Sequence, residues 1–477
     1  MHARQWVNGE WFAAAGGAEG ESVNPASGEA LGRYSAAGRL EAEQAIATAR
    51  AVFEGSAWAH QPRLRAALLL ELAARIEAVQ GELAQLLTAE NGKILAHAAG
   101  EVAAGVSELR YYAGLARNIF GRVLELDRGM YSILAREPMG VAGIIVPWNA
   151  PVTLLVRSLA PALAAGCTVA VKAAHQTALT SDRVFRELAA CKSLPRGVVN
   201  MFVESGSDGA KALVASPEVD VLSYTGSSEV GKQIMAAAAG TLKRLNLELG
   251  GSAPCVIYDD ADLDRAVPAL VAAGMVSAGQ QCVAASRLIV HERVFDRARV
   301  AFQRALSDLA VGPGLDPKSR MGPMIDRQNR DRILRLVQGA KAGHEVVLEG
   351  RPLEGAHAKG AFVTPSLIQV KEQGSALVAR ELFGPVLTLD RFASEEEAVE
   401  KANRTRFGLA ASVWSRDLAK AQRAAARIKA GTVWINLHGR LSPEAETGGY
   451  RESGFGRLHG VQGLEEFLQT KHISYDA

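Results

Sequence analysis

Gly143-Ile144-Ile145-Val146, Thr168-Val169-Ala170-Val171, Val198-Val199-Asn200-Met201-Phe202 and Val221-Leu222-Ser223-Tyr224 are short apolar runs set between helical stretches. Brief apolar strands alternating with helices predict βαβ units and a parallel sheet over residues 140 to 250. In such a sheet ligands bind at the carboxyl ends of the strands. The alternation resumes from 255 to about 440. Its runs are Cys255-Val256-Ile257-Tyr258, Ser286-Arg287-Leu288-Ile289-Val290, Ala411-Ser412-Val413-Trp414 and Gly431-Thr432-Val433-Trp434-Ile435-Asn436. A second α/β domain is therefore expected.

The flanking segments read differently. Trp6-Val7-Asn8-Gly9-Glu10-Trp11 predicts a hairpin around Asn-Gly, and Asn24-Pro25-Ala26-Ser27-Gly28 is a turn cluster. Residues 39 to 118 are predicted mostly helical. Pro62 opens one helix, along which Leu64, Leu68, Leu69, Leu72, Ile76 and Val79 recur at helical spacing. Glu90-Asn91-Gly92-Lys93 breaks the pattern. Val123, Glu125 and Asp127 lead into a turn at Arg128-Gly129, and Ser132 to Arg136 return, which predicts an inserted β-hairpin over 121 to 137. His472-Ile473-Ser474-Tyr475 is a short terminal strand able to extend a sheet in a partner.

Composition narrows the function. A chain of 477 residues exceeds what one core supports, so two or three domains are expected. With 53 Lys and Arg against 51 Asp and Glu, the net charge is +2, which excludes a strongly basic nucleic-acid binder and an acidic tail protein. Cys167, Cys191, Cys255 and Cys282 form no CxxC or Cys/His cluster, so neither a zinc site nor a disulfide framework is expected. Cys167 and Cys255 read as core residues, and Cys191 as a helical residue beside Lys192. Met1-His2-Ala3-Arg4-Gln5-Trp6 has no apolar signal region, and no run of eighteen apolar residues occurs. A cytoplasmic protein with reduced thiols and no membrane partner is the expectation.

Four segments carry chemistry-bearing side chains, each open to two readings. In Ser277-Ala278-Gly279-Gln280-Gln281-Cys282-Val283, the cysteine after a Gly-Gln turn is either an activated thiol nucleophile or a small buried hydrophobe. In Leu247-Glu248-Leu249-Gly250-Gly251, a carboxylate within an apolar run is either a base with a raised pKa or a strand-end residue paired with Lys243 or Arg244. In Val146-Pro147-Trp148-Asn149-Ala150-Pro151, the Asn is either an oxyanion donor after a strand end or a turn residue between prolines. In Tyr224-Thr225-Gly226-Ser227-Ser228-Glu229-Val230-Gly231, strand, turn and helix start form either a phosphate site or a plain βα turn.

Together, in this order, the motifs resemble the aldehyde dehydrogenase superfamily. They are PWN at 147 to 149, TGS at 225 to 227, ELGG at 248 to 251, GQxC at 279 to 282 and ELFGPV at 381 to 386. VNPASGE at 23 to 29, ENGK at 90 to 93, GTVWIN at 431 to 436 and GGYRESGFGR at 448 to 457 extend the resemblance over essentially the whole chain. It implies a non-acylating, NAD(P)-dependent enzyme that oxidises a small aldehyde to the acid. Cys282 is the implied nucleophile, Glu248 the base, and Asn149 with the Cys282 N–H the oxyanion hole. Gly226 and Ser227 are implied to meet the pyrophosphate of NAD or NADP. Lys172 is implied to reach the adenosine ribose, Glu381 and Phe383 to hold the nicotinamide ribose and ring, and Val146, Pro147 and Trp148 to line the strand end. His175, Gly206, Val230 and Leu249 complete the implied cofactor set. Ala150, Arg157, Gln281, Val283, His438, Leu441 and Thr447 are the implied substrate pocket, and no metal is implied.

The chain departs from the family pattern at several positions. Where members often read KPAEQT, it reads Lys172-Ala173-Ala174-His175-Gln176-Thr177. A carboxylate there would take the ribose diol and repel a 2′-phosphate, and His175 does neither, so NADP is expected to be tolerated beside NAD. Leu458 stands where many members have Glu. Ala150 and Arg157 stand where aromatics are common, which implies a wider, more polar pocket. Arg157 either binds a substrate carboxylate or pairs with a neighbouring acid.

The resemblance also implies an architecture. This is an aldehyde dehydrogenase-like α/β fold with a Rossmann-type cofactor domain (1–119 and 139–249), a catalytic domain (250–448), and an arm with a terminal strand (120–138 and 460–477) pairing across subunits. A homodimer or homotetramer follows, since exposed edges need covering. Two competing functions remain: a catalytically silent binding or structural paralogue, and a coenzyme A-acylating relative. The presence of Cys282, Glu248 and Asn149 together argues against both.

Overall fold

The computed structural model describes residues 1–371 and 375–476; Ala477, the last residue assigned to the terminal segment, lies outside them. The chain opens with β1 (His2–Ala3), β2 (Gln5–Val7), β3 (Glu10–Phe12), β4 (Glu19–Val23) and β5 (Ala30–Ser35). The Asn-Gly hairpin is present, with Trp6 opposite Trp11.

Four helices follow: α1 (Arg39–Gly55), α2 (Pro62–Ala78), α3 (Gln80–Asn91) and α4 (Leu95–Leu115). Glu41 caps α1, its carboxylate accepting from Gly38 N at 2.8 Å and from Ala15 N at 2.8 Å. Pro62 opens α2, where its missing N–H costs nothing. Gly92 ends α3 at φ +88, a left-handed position that favours glycine. β6 (Arg122–Asp127) and β7 (Met130–Pro138) form the expected hairpin.

β8 (Val141–Ile145), α5 (Pro151–Ala165), β9 (Thr168–Ala174), α6 (Ala178–Ala189), β10 (Val199–Glu204), α7 (Asp208–Ala215), β11 (Val221–Thr225), α8 (Ser228–Ala238) and β12 (Arg244–Glu248) realise the alternation read from the sequence. The strands β12-β11-β8-β9-β10 are mutually parallel. Helices cover both faces of this sheet, so its strands are buried over most of their length. Two cores result: one under α2 to α6 and one under α1, α7 and α8. Strand order reverses between β8 and β11, and the crevice at that switch point is where such sheets take ligands.

The second half carries a seven-stranded sheet. Its strands are β13 (Ala253–Ile257), β14 (Ala285–His291), β15 (Glu345–Leu348), β16 (Ser366–Gln369), β17 (Val386–Phe392), β18 (Ala410–Trp414) and β19 (Thr432–Ile435), in the order β15-β16-β17-β14-β13-β18-β19. The sequence reading named four of these and missed β15, β16 and β17. β15 is a half-exposed edge strand of four residues and β16 is equally short, so neither carries a run long enough to read. β20 (Gly454–Phe455) returns to pair antiparallel with β12 and the β2–β3 hairpin joins at β10, which brings the first sheet to eight strands.

The terminal strand β21 (Leu468–Asp476) pairs antiparallel along the whole of β7 of its own chain, from Leu468 opposite Pro138 to Asp476 opposite Met130, and forms the outer strand of that three-stranded sheet. The short helix Gly460–Glu465 before it packs on α5 and α4. Cys191 departs from its reading: it lies just past α6, its thiol donating to the Glu187 carbonyl at 3.4 Å. Cys167 and Cys255 are fully buried, as expected.

Candidate active site

The loop bearing Cys282 is strained. After the helix Leu263–Met275, the chain passes through Ser277 (φ 47), Ala278 (φ 54) and Gly279 (φ 72). Each non-glycine residue held there costs about 1 kcal/mol or more. Gly279 is required, since a Cβ would sit 2.2 Å from the Gly384 carbonyl. Buried Gln280 fastens the turn: its amide donates to Ser277 O at 2.9 Å, and its carbonyl accepts from Ile325 N at 3.0 Å. The Gly250-Gly251 turn lies against this loop, where a Cβ on Gly251 would fall 2.4 Å from the Cys282 carbonyl. Burial pushes the Cys282 thiol up to about 12, Glu381 and Glu248 adding to the rise and Arg157 opposing it.

Asn149 follows β8 and is buried. Its side-chain amide donates to Gln280 O at 3.1 Å. Its own carbonyl accepts from Lys93 Nζ at 2.8 Å. Lys93 is buried and ion-paired with buried Glu101, whose other oxygen accepts from Val152 N at 2.9 Å at the start of α5. The Glu-Asn-Gly-Lys segment, read from sequence as a helix break and a family motif, thus anchors the Asn149 turn. Removing one member of such a buried pair typically costs about 3–5 kcal/mol.

Glu248 is the last residue of β12, and Arg157 sits on the second turn of α5; both are buried. Arg157 Nη1 lies 3.5 Å from Glu248 Oε2, and Nη2 donates to Thr225 Oγ1 at 3.1 Å. Burial raises the Glu248 pKa, and the charges of Arg157, His459 and Arg457 oppose the rise. Of the two readings of Arg157, the structure shows pairing with a neighbouring acid, and that acid is Glu248. Neither Lys243 nor Arg244 pairs with Glu248: Lys243 Nζ donates to Ser216 O at 2.6 Å, and Arg244 lies 3.5 Å from Glu466.

A cavity of about 380 Å³ joins these groups. Cys282, Asn149, Glu248, Arg157, Ala150, Gln281, Val283, Leu441 and Thr447 line it, together with His97, Glu108 and His459. His459 was not foreseen. Its Nδ1 lies 2.8 Å from Glu108 Oε2, and both are buried. Its only sequence signal was position, next to Leu458. Leu458 itself is fully buried in the first core and exchanges backbone hydrogen bonds with Thr447 at 2.8 and 3.0 Å.

His438, expected in the pocket, is not among the lining residues. Its Nε2 donates to Val283 O at 2.8 Å, its Nδ1 lies 3.0 Å from Ser412 Oγ, and its ring packs 4.8 Å from Trp434. Left-handed turns at Asn436 (φ 55) and Gly439 (φ 76) flank it. Burial drives its pKa down to about 4, so it is a neutral packing residue.

The expected cofactor residues gather at the switch point. Gly226 N donates to Glu248 O at 3.0 Å, tying β11's end to β12. Ser227 caps α8, accepting from Val230 N at 3.3 Å. Leu249 packs on Gly231 of α8, where a Cβ would be 2.7 Å away. Val146 N donates to Lys172 O at 3.0 Å, and Pro147 and Trp148 continue past the strand end. The largely buried Lys172 ammonium makes no hydrogen bond among the described residues; burial lowers its pKa and Glu204 opposes this. His175 packs 5.8 Å from Tyr34, its pKa lowered by burial and by Lys172. Nearby Glu204 is spent on α7, accepting from Gly209 N at 2.6 Å and Ala210 N at 3.1 Å. Gly206 is exposed in the loop after β10.

From the other half, Glu381 accepts from Gly251 N at 3.2 Å and is pushed to about 7 by burial. Phe383 is held at φ 48, its carbonyl accepting from Arg332 at 2.9 Å. Its ring meets Trp148 edge to face at 5.7 Å. An unpaired ammonium, a helix N-terminus and a Trp–Phe pair at one switch point fit a dinucleotide.

A thiol loop beside the switch point of a doubly wound sheet places a candidate nucleophile next to a candidate dinucleotide site. The chain belongs to the aldehyde dehydrogenase family, whose model matches residues 11–473, and so oxidises an aldehyde to the acid with NAD(P)+ as hydride acceptor. It is 36% identical over 477 residues to the betaine aldehyde dehydrogenase of Bacillus subtilis (strain 168), covering 99% of this chain and 97% of that protein. It is 36% identical to the phenylacetaldehyde dehydrogenase of Pseudomonas fluorescens, covering 98% and 94%. The crystal structure of Staphylococcus aureus betaine aldehyde dehydrogenase in complex with NAD+ superposes with a TM-score of 0.97 at 35% identity, covering 99% of this chain and 95% of that one.

Proposed function

We propose that Cys282 is the nucleophile, Asn149 the oxyanion donor and Glu248 the base of this aldehyde oxidation. The observation that carries the reading is the cavity in which all three meet. The Cys282 sulfur bonds to the aldehyde carbon and its proton leaves to Glu248 or water. A thiolate is the reacting form, so proton removal must accompany attack when the resting thiol is raised. The oxyanion lies between the Cys282 N–H and the second amide hydrogen of Asn149, and one such donor is typically worth about 3 kcal/mol in the barrier. NAD(P)+, when bound, accepts the hydride released as the thiohemiacetal becomes a thioester. Glu248, after releasing any proton from the first step to solvent, takes a proton from a water whose oxygen bonds to the thioester carbon; the S–C bond then breaks, freeing the acid and returning the sulfur as thiolate.

Arg157 serves this base. One Nη lies on Glu248 and the other donates to Thr225, which holds the guanidinium against the base. Lys172, Ser227, Gly226, Glu381, Phe383 and Trp148 would hold the cofactor. NAD is favoured by the staphylococcal NAD+ complex, and NADP stays open because no free carboxylate stands at His175.

Glu248 supports hydrolysis over transfer to a thiol acceptor. NADH formation with an aldehyde panel, against Cys282→Ser, tests the whole reading; acyl-coenzyme A as the main product when coenzyme A is added would redirect it to the acylating branch. The same reading takes 1–119 with 139–249 as the cofactor domain, 250–448 as the catalytic domain, and 120–138 with 460–477 as the arm. It assembles the chain as a homodimer or homotetramer, supported by apolar Val123, Leu126 and Ile473 exposed on the arm. Four unpaired cysteines agree with a cytoplasmic location.

A further inference from the structure

His459 and Glu108 form a buried pair that the proposed mechanism leaves unused. His459 is held at φ 60, ψ 173, a backbone region essentially reserved for glycine. Other residues persist there where their surroundings force them, and they gather at functional sites. Both Glu108 oxygens lie on the ring's Nδ1, at 2.8 and 3.0 Å. Tyr112, also on α4, donates to the next carbonyl, Gly460 O, at 3.1 Å, so α4 fixes both ring and turn. With Nδ1 donating to the carboxylate, Nε2 is the ring's acceptor. It has no partner among the described residues and is not among the side-chain atoms sealed from solvent, so it opens onto the cavity that His459 lines.

Glu248 lines the same cavity under the opposite constraint: Oε1 is sealed, and Oε2 lies 3.5 Å from Arg157 Nη1. Arg157, His459 and Arg457 are the charges that act on it. Glu446 closes the group from the far side, its carboxylate accepting from Val461 N at 3.0 Å. A base must shed the proton it has taken before the next turnover. The cavity, of about 380 Å³, has room for a bridging water between Glu248 and the ring. Imidazole is the side chain that ordinarily both takes and releases a proton near neutral pH.

Resting on the reading of Glu248 as the base, we propose that His459 Nε2 receives, through one bridging water, the proton that Glu248 takes from the hydrolytic water, with Glu108 positioning the ring. The O–H bond on Glu248 breaks as an N–H bond forms on Nε2, and the bridging water is regenerated. The imidazolium, paired with Glu108, then gives the proton to solvent; no electrons change hands.

His459→Gly tests this, because glycine suits the backbone there and leaves space for an added ring. The full-length enzyme is run with saturating NAD+ and either propanal or phenylacetaldehyde. Aldehyde uptake and hydride transfer precede the relay. A burst of NADH stoichiometric with active sites is therefore expected, followed by a steady-state rate at least about tenfold below wild type. kcat and KM are expected to fall together and leave kcat/KM as in the wild type, whereas a disturbed cavity lowers kcat/KM. Added imidazole is expected to restore kcat. Glu108→Gln, which keeps the ring, is expected to lower kcat with the burst intact. Unchanged kcat in both variants, or a loss in His459→Gly that falls on kcat/KM and that imidazole does not restore, would overturn the inference. Wild-type kcat in Glu248→Gln would instead strike the base reading, and a wild-type enzyme with neither burst nor turnover would strike the nucleophile reading.

Discussion

The guanidinium of Arg157 lies 3.5 Å from the carboxylate of Glu248, both side chains being about 4% exposed. Burial alone holds Glu248 above the usual carboxylate range, and the Arg157 charge is the largest opposing influence. Arg157→Leu removes that influence, so the Glu248 pKa rises further. The base must be ionised to act, so the acidic limb of the kcat–pH profile is expected to move to higher pH. Acidic and neutral aldehydes should lose rate alike. An unmoved limb, or a loss confined to acidic aldehydes, would return Arg157 to substrate recognition.

The Cys282 thiol, pushed up to about 12 in the free enzyme, is protonated at neutral pH. Its thiolate fraction grows about tenfold per pH unit below that value. Alkylation of the cofactor-free enzyme by iodoacetamide should therefore keep accelerating past the ordinary cysteine value of roughly 8.5. A plateau near neutrality would show a thiolate already formed.

His175 and Lys172 are neighbours at the end of β9, where the proposed function places the ribose, while Glu204 is held by the N-terminus of α7. No free carboxylate repels a 2′-phosphate there, and NADP is expected to support turnover beside NAD. His175→Glu should sharpen the preference for NAD. Steady-state kinetics decide the matter: a wild-type preference for NAD above about a hundredfold, near 2.7 kcal/mol, would defeat it.

Betaine aldehyde should be a poor substrate, despite the likeness to betaine aldehyde dehydrogenases. The cavity has no large aromatic ring among the described residues, and its carboxylates are already paired, Glu101 with Lys93, Glu108 with His459 and Glu248 with Arg157. Its kcat/KM is expected to fall at least about tenfold below that of a neutral aldehyde of similar size, since a cation–π contact is worth about 0.5–2 kcal/mol. Parity between the two would show that cation recognition is supplied elsewhere.

On the arm, Val123, Leu126 and Ile473 are 65%, 56% and 45% exposed in the single chain. Apolar side chains gathered on one small sheet need a partner surface. The double substitution Val123→Lys and Leu126→Lys is expected to reduce the assembly, measured as mass in solution at micromolar concentration. Wild-type chain that is already monomeric there would remove the arm from any oligomeric role.

The sequence alone determined the layout of the first parallel sheet and four strands of the second, because each such βαβ unit carries its apolar run and its helical period locally. Asn149, Glu248 and Cys282 were legible too, as residues at strand ends and turns within an ordered set of motifs. What local patterning cannot encode is which side chain meets which across the chain. Arg157 and Glu248 are 91 positions apart, and His459 and Glu108 are 351 apart. Those pairs exist because β8 and β11 are neighbours in the sheet and because the last helix folds back on α4 and α5. The same long-range packing turned His438 out of the cavity, buried Leu458, and joined the terminal strand to its own arm. Pairing partners, and with them the charge of the base and the polarity of the cavity, are set by burial that only the closed tertiary structure brings about.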